Sequence, residues 1–220
     1  MIKAVLFDLD GTLYDRDALV QELVADQHAA FEVELDGVSR ERFVSRVLEM
    51  DDHGYGNKAL GYKRLVQEWR LTATLTDRLY DYFRSNYDRY CHLPADTAST
   101  LQTLRAQDRT LGVITNGGTE RQQAKLRALG LEDAFDVVLI SEAEGVRKPS
   151  PEIFQRALRR RGIENSAAVF VGDHPQMDVQ GARNAGLLPV WKYVPYWTLR
   201  TPNVATVHRL TDILPICLAP

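Results

Sequence analysis

The chain has 220 residues, of which 45% are hydrophobic and 26% are charged. This balance is typical of a folded protein and excludes a disordered one, and the length accommodates one ordinary domain with a second, smaller module. The formal charge of −3 argues against a protein that binds the nucleic-acid backbone, because such proteins are usually basic. It does not argue against a small phosphorylated ligand, which needs only one local cationic pocket.

The chain has no apolar stretch that approaches the roughly 18 residues of a transmembrane helix. The first apolar run, residues 2–7, is too short for the core of a signal peptide and ends in a carboxylate. Cys91 and Cys217 lie far apart and have no metal-type spacing. We therefore expect a cytoplasmic protein with reduced thiols and no membrane partner, although a disulfide stays open on sequence alone. Nothing in the sequence specifies an oligomeric state.

Five short apolar runs, rich in branched residues, predict buried strands of a parallel sheet. They are residues 2–7, 111–114, 137–140, 167–171 and 188–191. Helical patterns follow three of these runs, at 119–129, 151–161 and 178–185, with Gly130, Gly162 and Gly186 where helix ends are expected. This alternation predicts an α/β fold, a Rossmann-like parallel sheet with helices on both faces.

The stretch 15–92 differs, because its apolar residues recur only at helical spacing and Pro94 marks a return to the sheet. We therefore predict a core formed by residues 1–14 and 93–220, interrupted by a small all-helical domain over 15–92.

Polar residues follow the predicted strands where they end. Asp8 and Asp10 follow the first, Thr115 and Asn116 end the second, Lys148 lies in the loop after the third, and Asp173 follows the fourth. Ligands of open α/β sheets bind at the carboxyl ends of the strands, so these side chains should converge in one crevice.

Carboxylates that cluster closely need a cation to stay ionised, and oxygen ligands favour Mg²⁺. A lysine and a hydroxyl beside them would complete a site for a phosphoryl group. Since Asp8 and Asp10 are two positions apart, an extended chain directs both to one side, where one can attack phosphorus while the other transfers protons.

Four motifs in order resemble those of the haloacid dehalogenase superfamily. They are Asp8-Leu9-Asp10-Gly11-Thr12-Leu13, Thr115-Asn116-Gly117, Lys148-Pro149, and Gly172-Asp173 with Asp178. The match spans most of the chain. Within the superfamily, the stretch from Thr115 to Pro175 looks most like small-molecule phosphatases, including 5′-nucleotidases and a sugar-acid phosphate phosphatase.

The resemblance implies that Asp8 is the nucleophile and Asp10 the general acid and base. It implies that Thr115 and Lys148 bind the transferring phosphoryl group, and we assign Asn116 to the same group. Mg²⁺ would be held by the Asp8 side chain, the Asp10 backbone carbonyl and Asp173, with Asp178 in support. The helical domain over 15–92 would be a cap inserted after the first motif.

The expected function is Mg²⁺-dependent hydrolysis of a small organic phosphate monoester, a nucleotide or sugar phosphate, through an aspartyl-phosphate. A phosphomutase on the same scaffold and a non-catalytic phosphate-binding relative are the alternatives. A dehalogenase is disfavoured, because the superfamily's dehalogenases lack the acid present here as Asp10.

The stretch 54–59 fits a relaxed dinucleotide-binding pattern, but no predicted strand precedes it, so we treat it as a chance match. Asp51, His53, Tyr55 and Lys58 around it are equally well explained as a loop that reads the substrate and as an ordinary connection between helices.

Overall fold

The computed structural model describes residues 1–219. Its sheet has six strands, all parallel, in the order β3-β2-β1-β4-β5-β6. They are β1 (Ala4–Phe7), β2 (Thr110–Thr115), β3 (Val137–Ile140), β4 (Ala168–Gly172), β5 (Leu188–Lys192) and β6 (Ala205–Val207). The predicted α/β fold with a parallel sheet is confirmed. β6 was not predicted, because two of its three residues are exposed and it carries no apolar run.

Strand β1 lies in the middle of the sheet, and the chain order changes direction around it. Phe7 of β1 aligns with Val113 of β2 on one side and with Val171 of β4 on the other. The chain fills the β2–β3 side first and then crosses to β4. Such a switch point leaves a crevice outside the carboxyl ends of the central strands, where Asp8 and Asp173 follow β1 and β4.

The α-helices are α1 (Arg16–Ala30), α2 (Arg40–Asp51), α3 (Lys58–Glu68), α4 (Leu75–Asn86), α5 (Ala95–Ala106), α6 (Thr119–Ala128), α7 (Ser141–Glu144), α8 (Pro151–Arg159), α9 (Gly181–Asn184) and α10 (Leu214–Leu218). Side chains close the first turn of several of them. Asp15 accepts a hydrogen bond from the Ala18 amide at 3.0 Å and Asn57 accepts one from the Leu60 amide at 3.1 Å. These caps satisfy amides that have no partner inside the helix.

Helix formation departs from the sequence prediction in two places. Helix α5 was not predicted, because its inward face is partly polar and includes the buried Thr97 and Thr100. The helix predicted for 178–185 begins earlier, with a π-helical turn over Pro175–Gln180 that leads into α9. His174 caps this turn, since its Nδ1 accepts from the amides of Gln176 and Met177 at 3.1 Å each.

The core of the sheet explains the continuous apolar runs. All four residues of β1 are fully buried, as a central strand covered on both faces requires. On one face Phe154 of α8 packs edge-on against Phe170 of β4, with ring centroids 4.9 Å apart. Each aromatic side chain buried in this way contributes about 2–3 kcal/mol to folding.

The chain divides into two compact units. The sheet unit consists of Met1–Tyr14 and the chain from His92 onward, and the helical unit of Asp15–Cys91. In the helical unit, buried Gln27 donates to the Leu79 carbonyl at 2.7 Å and accepts from the Tyr62 hydroxyl at 2.8 Å. A buried amide with both ends satisfied ties α1, α3 and α4 together at little cost.

Both cysteines, Cys91 and Cys217, are free and buried. Among residues 1–219, no helix has the length and apolar character that crossing a membrane would need.

Candidate active site

Lys148 lies between two carboxylates at the carboxyl end of β1. Its ammonium nitrogen is 2.5 Å from Asp8 Oδ1 and 2.6 Å from Asp178 Oδ1, and its side chain is 2% exposed. The nitrogen also lies 5.3 Å from the centre of the Phe170 ring. Charged hydrogen bonds of this kind are strong where water is excluded. The lysine therefore holds a fixed positive charge beside Asp8.

Three buried aspartates form one group around this lysine. Oxygens of Asp8, Asp173 and Asp178 all lie within 4.8 Å of one another. Burial raises the pKa of the Asp8 carboxyl to about 7, and Asp178 and Asp10 add to the rise while Lys148 opposes it. Burial likewise raises the pKa of Asp173 well above its usual value, with Asp178 and Asp8 adding to it. When all three carboxylates are ionised, one ammonium does not balance them, and the group then has surplus negative charge.

This group fits a Mg²⁺ ion in its donor chemistry. The donors are hard carboxylate oxygens that lie close together. Burial, together with repulsion from the neighbouring carboxylates, raises the pKa values of Asp8 and Asp173. A divalent cation would relieve that repulsion. For Lys148 the opposite holds. Burial alone would lower the pKa of its ammonium, but Asp178 and Asp8 outweigh burial and raise it, so this lysine stays charged.

Asp178 has both of its carboxylate oxygens engaged. Oδ1 accepts from Lys148 at 2.6 Å, and Oδ2 accepts from the His174 amide at 2.9 Å. It thus anchors the lysine and the start of the π-helical turn. No side chain larger than hydrogen fits at Gly172, because a Cβ there would lie 2.4 Å from the Asp178 Cβ. The glycine of the fourth motif therefore makes room for Asp178.

The carboxylate of Asp10 lies in a second network, away from Lys148. Lys125 Nζ is 2.7 and 2.8 Å from its two oxygens, Gln122 Nε2 donates to it at 2.9 Å, and the Tyr14 hydroxyl donates a short hydrogen bond. Gln122 also donates to Thr115 Oγ1 at 2.6 Å. Sequence reasoning missed Gln122, Lys125 and Tyr14. The two α6 side chains are polar residues on a helix, which normally indicate a solvated face, and only their spacing of three was a signal.

Asn116 was predicted to bind the phosphoryl group, and the structure shows its side chain on the main chain of Lys148. Its Oδ1 accepts from the Lys148 amide at 2.9 Å and its Nδ2 donates to the Lys148 carbonyl at 3.0 Å. These two bonds use the amide group to hold the loop that carries the lysine. A phosphoryl contact from this residue would therefore come through its backbone amide.

Two further contacts define the surroundings of Asp173. Its carbonyl accepts from the Trp191 indole at 2.6 Å, which fixes the backbone there. A Cβ on Gly11, whose φ is +81°, would lie 2.7 Å from Asp173 Oδ2. Glycine is therefore needed at position 11 for both conformation and space. His174 lies beside this group, but its ring caps a helical turn and packs on Trp197 at 4.5 Å. Burial lowers the pKa of His174.

Three of the four polar residues singled out in the helical unit, Asp51, His53 and Lys58, form ion pairs, whereas Tyr55 is exposed. Arg16 binds Asp51 with two hydrogen bonds of 2.6 and 2.9 Å, Lys58 also pairs with Asp51, and His53 pairs with Asp17. The Gly54–Gly56 stretch starts in a short 3₁₀ turn that follows α2. In the described residues 1–53 the one strand is β1, which is far from this stretch in sequence. The dinucleotide-binding pattern thus lacks its structural context.

A parallel sheet with aspartates, a threonine and a lysine at its switch point defines an α/β protein with a candidate site for an anionic group. The comparison with known families identifies it further. Residues 2–186 match the model of haloacid dehalogenase-like hydrolases, and the chain belongs to this family. The resemblance inferred from the four motifs is thereby confirmed.

Relatives of known name cover nearly the whole chain. The chain is 35% identical over 200 residues to the glyceraldehyde 3-phosphate phosphatase of Methanopyrus kandleri, covering 86% of this chain and 83% of that protein. It is 30% identical over 223 residues to the pyrimidine 5′-nucleotidase YjjG of Escherichia coli, covering 96% of each. Among solved structures, a haloacid dehalogenase-type phosphatase from Thermococcus onnurineus is similar with a TM-score of 0.66 and 28% identity, covering 99% of this chain and 98% of that one.

Proposed function

We propose that the chain is a Mg²⁺-dependent phosphatase that hydrolyses a small phosphate monoester through an aspartyl-phosphate on Asp8. The observation that carries the proposal is the position of Lys148 between Asp8 and Asp178, in a buried group with surplus negative charge. Such a group suits a divalent cation and a phosphoryl group together. The two named relatives are phosphatases of small phosphorylated molecules, which supports the same substrate class.

The Mg²⁺ ion would be held by the Asp8 carboxylate, the Asp10 carbonyl and Asp173, with Asp178 anchoring the lysine beside it. When bound, it would neutralise the excess charge of the carboxylates and of the substrate phosphate, which lets both approach each other. Lys148 and the Thr115 hydroxyl would bind the phosphoryl oxygens, as donors fixed before the reaction begins.

In the first step, an oxygen of Asp8 attacks phosphorus while the bond from phosphorus to the ester oxygen breaks. The leaving oxygen takes a proton from the Asp10 carboxylic acid. In the second step, a water molecule gives a proton to the Asp10 carboxylate and attacks the aspartyl-phosphate. The bond between phosphorus and the Asp8 oxygen breaks, which releases inorganic phosphate and restores both aspartates.

The substrate class that we propose is a nucleotide or sugar phosphate, and we propose that the helical unit acts as the cap that selects it. Exchange of the helical unit for that of a relative with a different substrate preference should transfer the preference. A chimera that folds and keeps the original preference would contradict the cap assignment.

The test is phosphate release from nucleoside monophosphates, sugar phosphates and 4-nitrophenyl phosphate, with Mg²⁺ and with EDTA. We expect release only with Mg²⁺, and a loss of at least about a thousandfold in kcat for Asp8→Asn. The matched control is Asp133→Asn, the same change at an exposed position of the sheet unit. Transfer of the phosphoryl group to a second hydroxyl without phosphate release would indicate a mutase. Folded, Mg²⁺-binding protein with no turnover would indicate a regulatory relative.

A further inference from the structure

Gln122 and Lys125 form a buried pair on α6 that the catalytic scheme above does not use. They lie three residues apart on one face of the helix, and they are 1% and 5% exposed. A lysine this deeply buried is rare unless a charge partner holds it. Here the partner is the Asp10 carboxylate, which Lys125 binds through both oxygens at 2.7 and 2.8 Å.

The Gln122 amide connects two residues with different proposed roles. Its nitrogen is 2.9 Å from Asp10 Oδ2 and 2.6 Å from Thr115 Oγ1. A carboxylate oxygen only accepts hydrogen bonds, so the end of the amide that faces Asp10 is its NH₂ group. One of the two hydrogens then goes to Asp10 and the other to Thr115.

This donor decides what the Thr115 hydroxyl can do. A hydroxyl has one hydrogen to donate and two lone pairs. Because Gln122 donates into a lone pair of Thr115, the hydroxyl hydrogen has to point elsewhere. It is left to donate to an incoming phosphoryl oxygen, the task that a phosphate-binding threonine requires.

The Asp10 carboxylate is also held in place by hydrogen bonds. Oδ1 accepts from Lys125 and from the Tyr14 hydroxyl, and Oδ2 accepts from Lys125 and Gln122. Three donors from two parts of the sheet unit thus fix the rotamer and the plane of this carboxylate. A general acid contributes only if its proton lies within hydrogen-bond reach of the leaving oxygen.

We infer that Gln122 and Lys125 are positioning residues for the reaction, which aim the Asp10 carboxyl at the leaving oxygen and turn the Thr115 hydroxyl toward the phosphoryl group. The inference rests on the proposed function, because Asp10 and Thr115 have their roles there. The hydrogen bonds of Gln122 and Lys125 described above go to Asp10 and Thr115, so we expect Mg²⁺ binding not to depend on these two side chains.

The experiment compares Lys125→Met, Lys125→Arg and Gln122→Glu with the wild type. The substrates are 4-nitrophenyl phosphate, whose leaving group needs no proton, and ribose 5-phosphate or uridine 5′-monophosphate, whichever the wild type hydrolyses faster. Gln122→Glu keeps the shape of the side chain but presents acceptors to Asp10 and Thr115. Gln123→Glu, on the exposed face of α6, is the matched control.

For Lys125→Met and Gln122→Glu we expect kcat on the alkyl phosphate to fall by about 30- to 300-fold, around the lower end of the range for general acid catalysis. On 4-nitrophenyl phosphate we expect a rapid burst of nitrophenol equal to the enzyme present, followed by slow turnover. The burst arises because the first step needs no acid, whereas the second still needs Asp10 as a base. Lys125→Met should lower the ratio of kcat on the alkyl phosphate to kcat on 4-nitrophenyl phosphate. Lys125→Arg should restore at least a third of that ratio's loss.

An equal loss on both substrates without a burst in Lys125→Met, with the thermal stability and Mg²⁺-induced stabilisation of the wild type, would overturn the positioning role. Gln122→Glu also disturbs the Thr115 hydroxyl, so it should lose more than Lys125→Met on 4-nitrophenyl phosphate. Unchanged kinetics in both variants would do the same. The proposed function fails separately: wild-type protein without phosphate release, or Asp8→Asn with near-normal release, contradicts the mechanism itself. If Gln122→Glu does not fold, Gln122→Met takes its place, because it removes the hydrogen-bond donor without adding a charge.

Discussion

The two units of the chain each bury a cluster of charged side chains, and the clusters differ in how their charges balance. In the helical unit, Asp51 is 2% exposed and is met by both Arg16 and Lys58. Burial opposes ionisation of Asp51, but the two cations outweigh it and lower the pKa of that carboxyl. In the sheet unit three aspartates share one lysine, and the pKa values of Asp8 and Asp173 rise.

The difference in charge balance distinguishes a structural cluster from a functional one. A buried charge that is fully paired within the protein takes no part in a reaction and serves to fix the geometry of its surroundings. A buried group with surplus charge is costly, and a fold retains it where a ligand completes it. The helical cluster is complete within the chain. The sheet cluster has more carboxylates than cations, as the proposed Mg²⁺ site requires.

The largest effect on stability should come from breaking the balanced cluster. Asp51→Asn leaves Arg16 and Lys58 buried without their counter-charge, and we expect the free energy of unfolding to fall by about 3 kcal/mol. Urea unfolding monitored by circular dichroism measures it. Glu49→Gln is the matched control, because Glu49 is an acid on the same helix with a side chain that is 71% exposed. Equal stability of the two variants would mean that the Asp51 cluster has no structural weight.

The unbalanced cluster should respond in the opposite direction. Asp173→Asn removes one of three carboxyl groups that repel one another when ionised. We therefore expect the metal-free protein to become no less stable, and Mg²⁺ to lose its effect on it. In the wild type, Mg²⁺ at a hundred times its dissociation constant should add about 2.7 kcal/mol to the free energy of unfolding. Thermal unfolding with Mg²⁺ and with EDTA measures both. A wild-type protein that gains nothing from Mg²⁺ would refute the metal site.

The free energy of unfolding should change with pH in opposite directions for the two clusters. Burial raises the pKa of Asp8 to about 7 from its ordinary value of 3.8, so between these values the native state keeps a proton that the unfolded chain has lost. Between these values, raising the pH lowers the free energy of unfolding of metal-free protein, by up to about 1.4 kcal/mol per pH unit for one group.

For Asp51, the lowered pKa gives the opposite sign. Its contribution to stability is present above the unfolded value near 3.8 and is lost as the pH falls through the folded pKa. Unfolding in EDTA from pH 3 to 8 tests both: Asp8→Asn should flatten the decline between about pH 4 and pH 7, and Asp51→Asn should flatten the decline at the acid end. Identical pH profiles for the two variants would erase the distinction.

The smallest effect should come from an ion pair that is exposed to solvent and belongs to neither buried cluster. Arg46 contacts Glu49 at 2.7 Å and Glu68 at 2.9 Å, and these three side chains are all at least 32% exposed. Glu49→Gln should change the free energy of unfolding by less than about 0.5 kcal/mol, and less still at 1 M salt. A loss comparable to that of Asp51→Asn would show that the number of ion pairs, and not their burial, decides stability here.

Much of the fold and the reacting groups could be predicted because their signals are local. Buried central strands appear as unbroken apolar runs, and the residues after them fall at one edge of the sheet. Asp8, Lys148 and Asp173 were found in this way. Strand β6 and helix α5 were missed, since an exposed edge strand and a helix with buried threonines carry no such run. Asn116 was placed in the right loop, but its partner, the Lys148 main chain, lies 32 residues away.

The sequence by itself determined where the five buried strands lie along the chain, the helical character of 15–92 and the residues available for chemistry, because periodicity and turn residues act over a few positions. The tertiary structure decided how those residues share charge. Whether an aspartate meets two cations, as Asp51 does, or two other carboxylates, as Asp8 does, depends on side chains brought together from distant parts of the chain. The same holds for Gln122 and Lys125, whose contacts with Asp10 span more than a hundred residues and whose only local signal is their spacing of three.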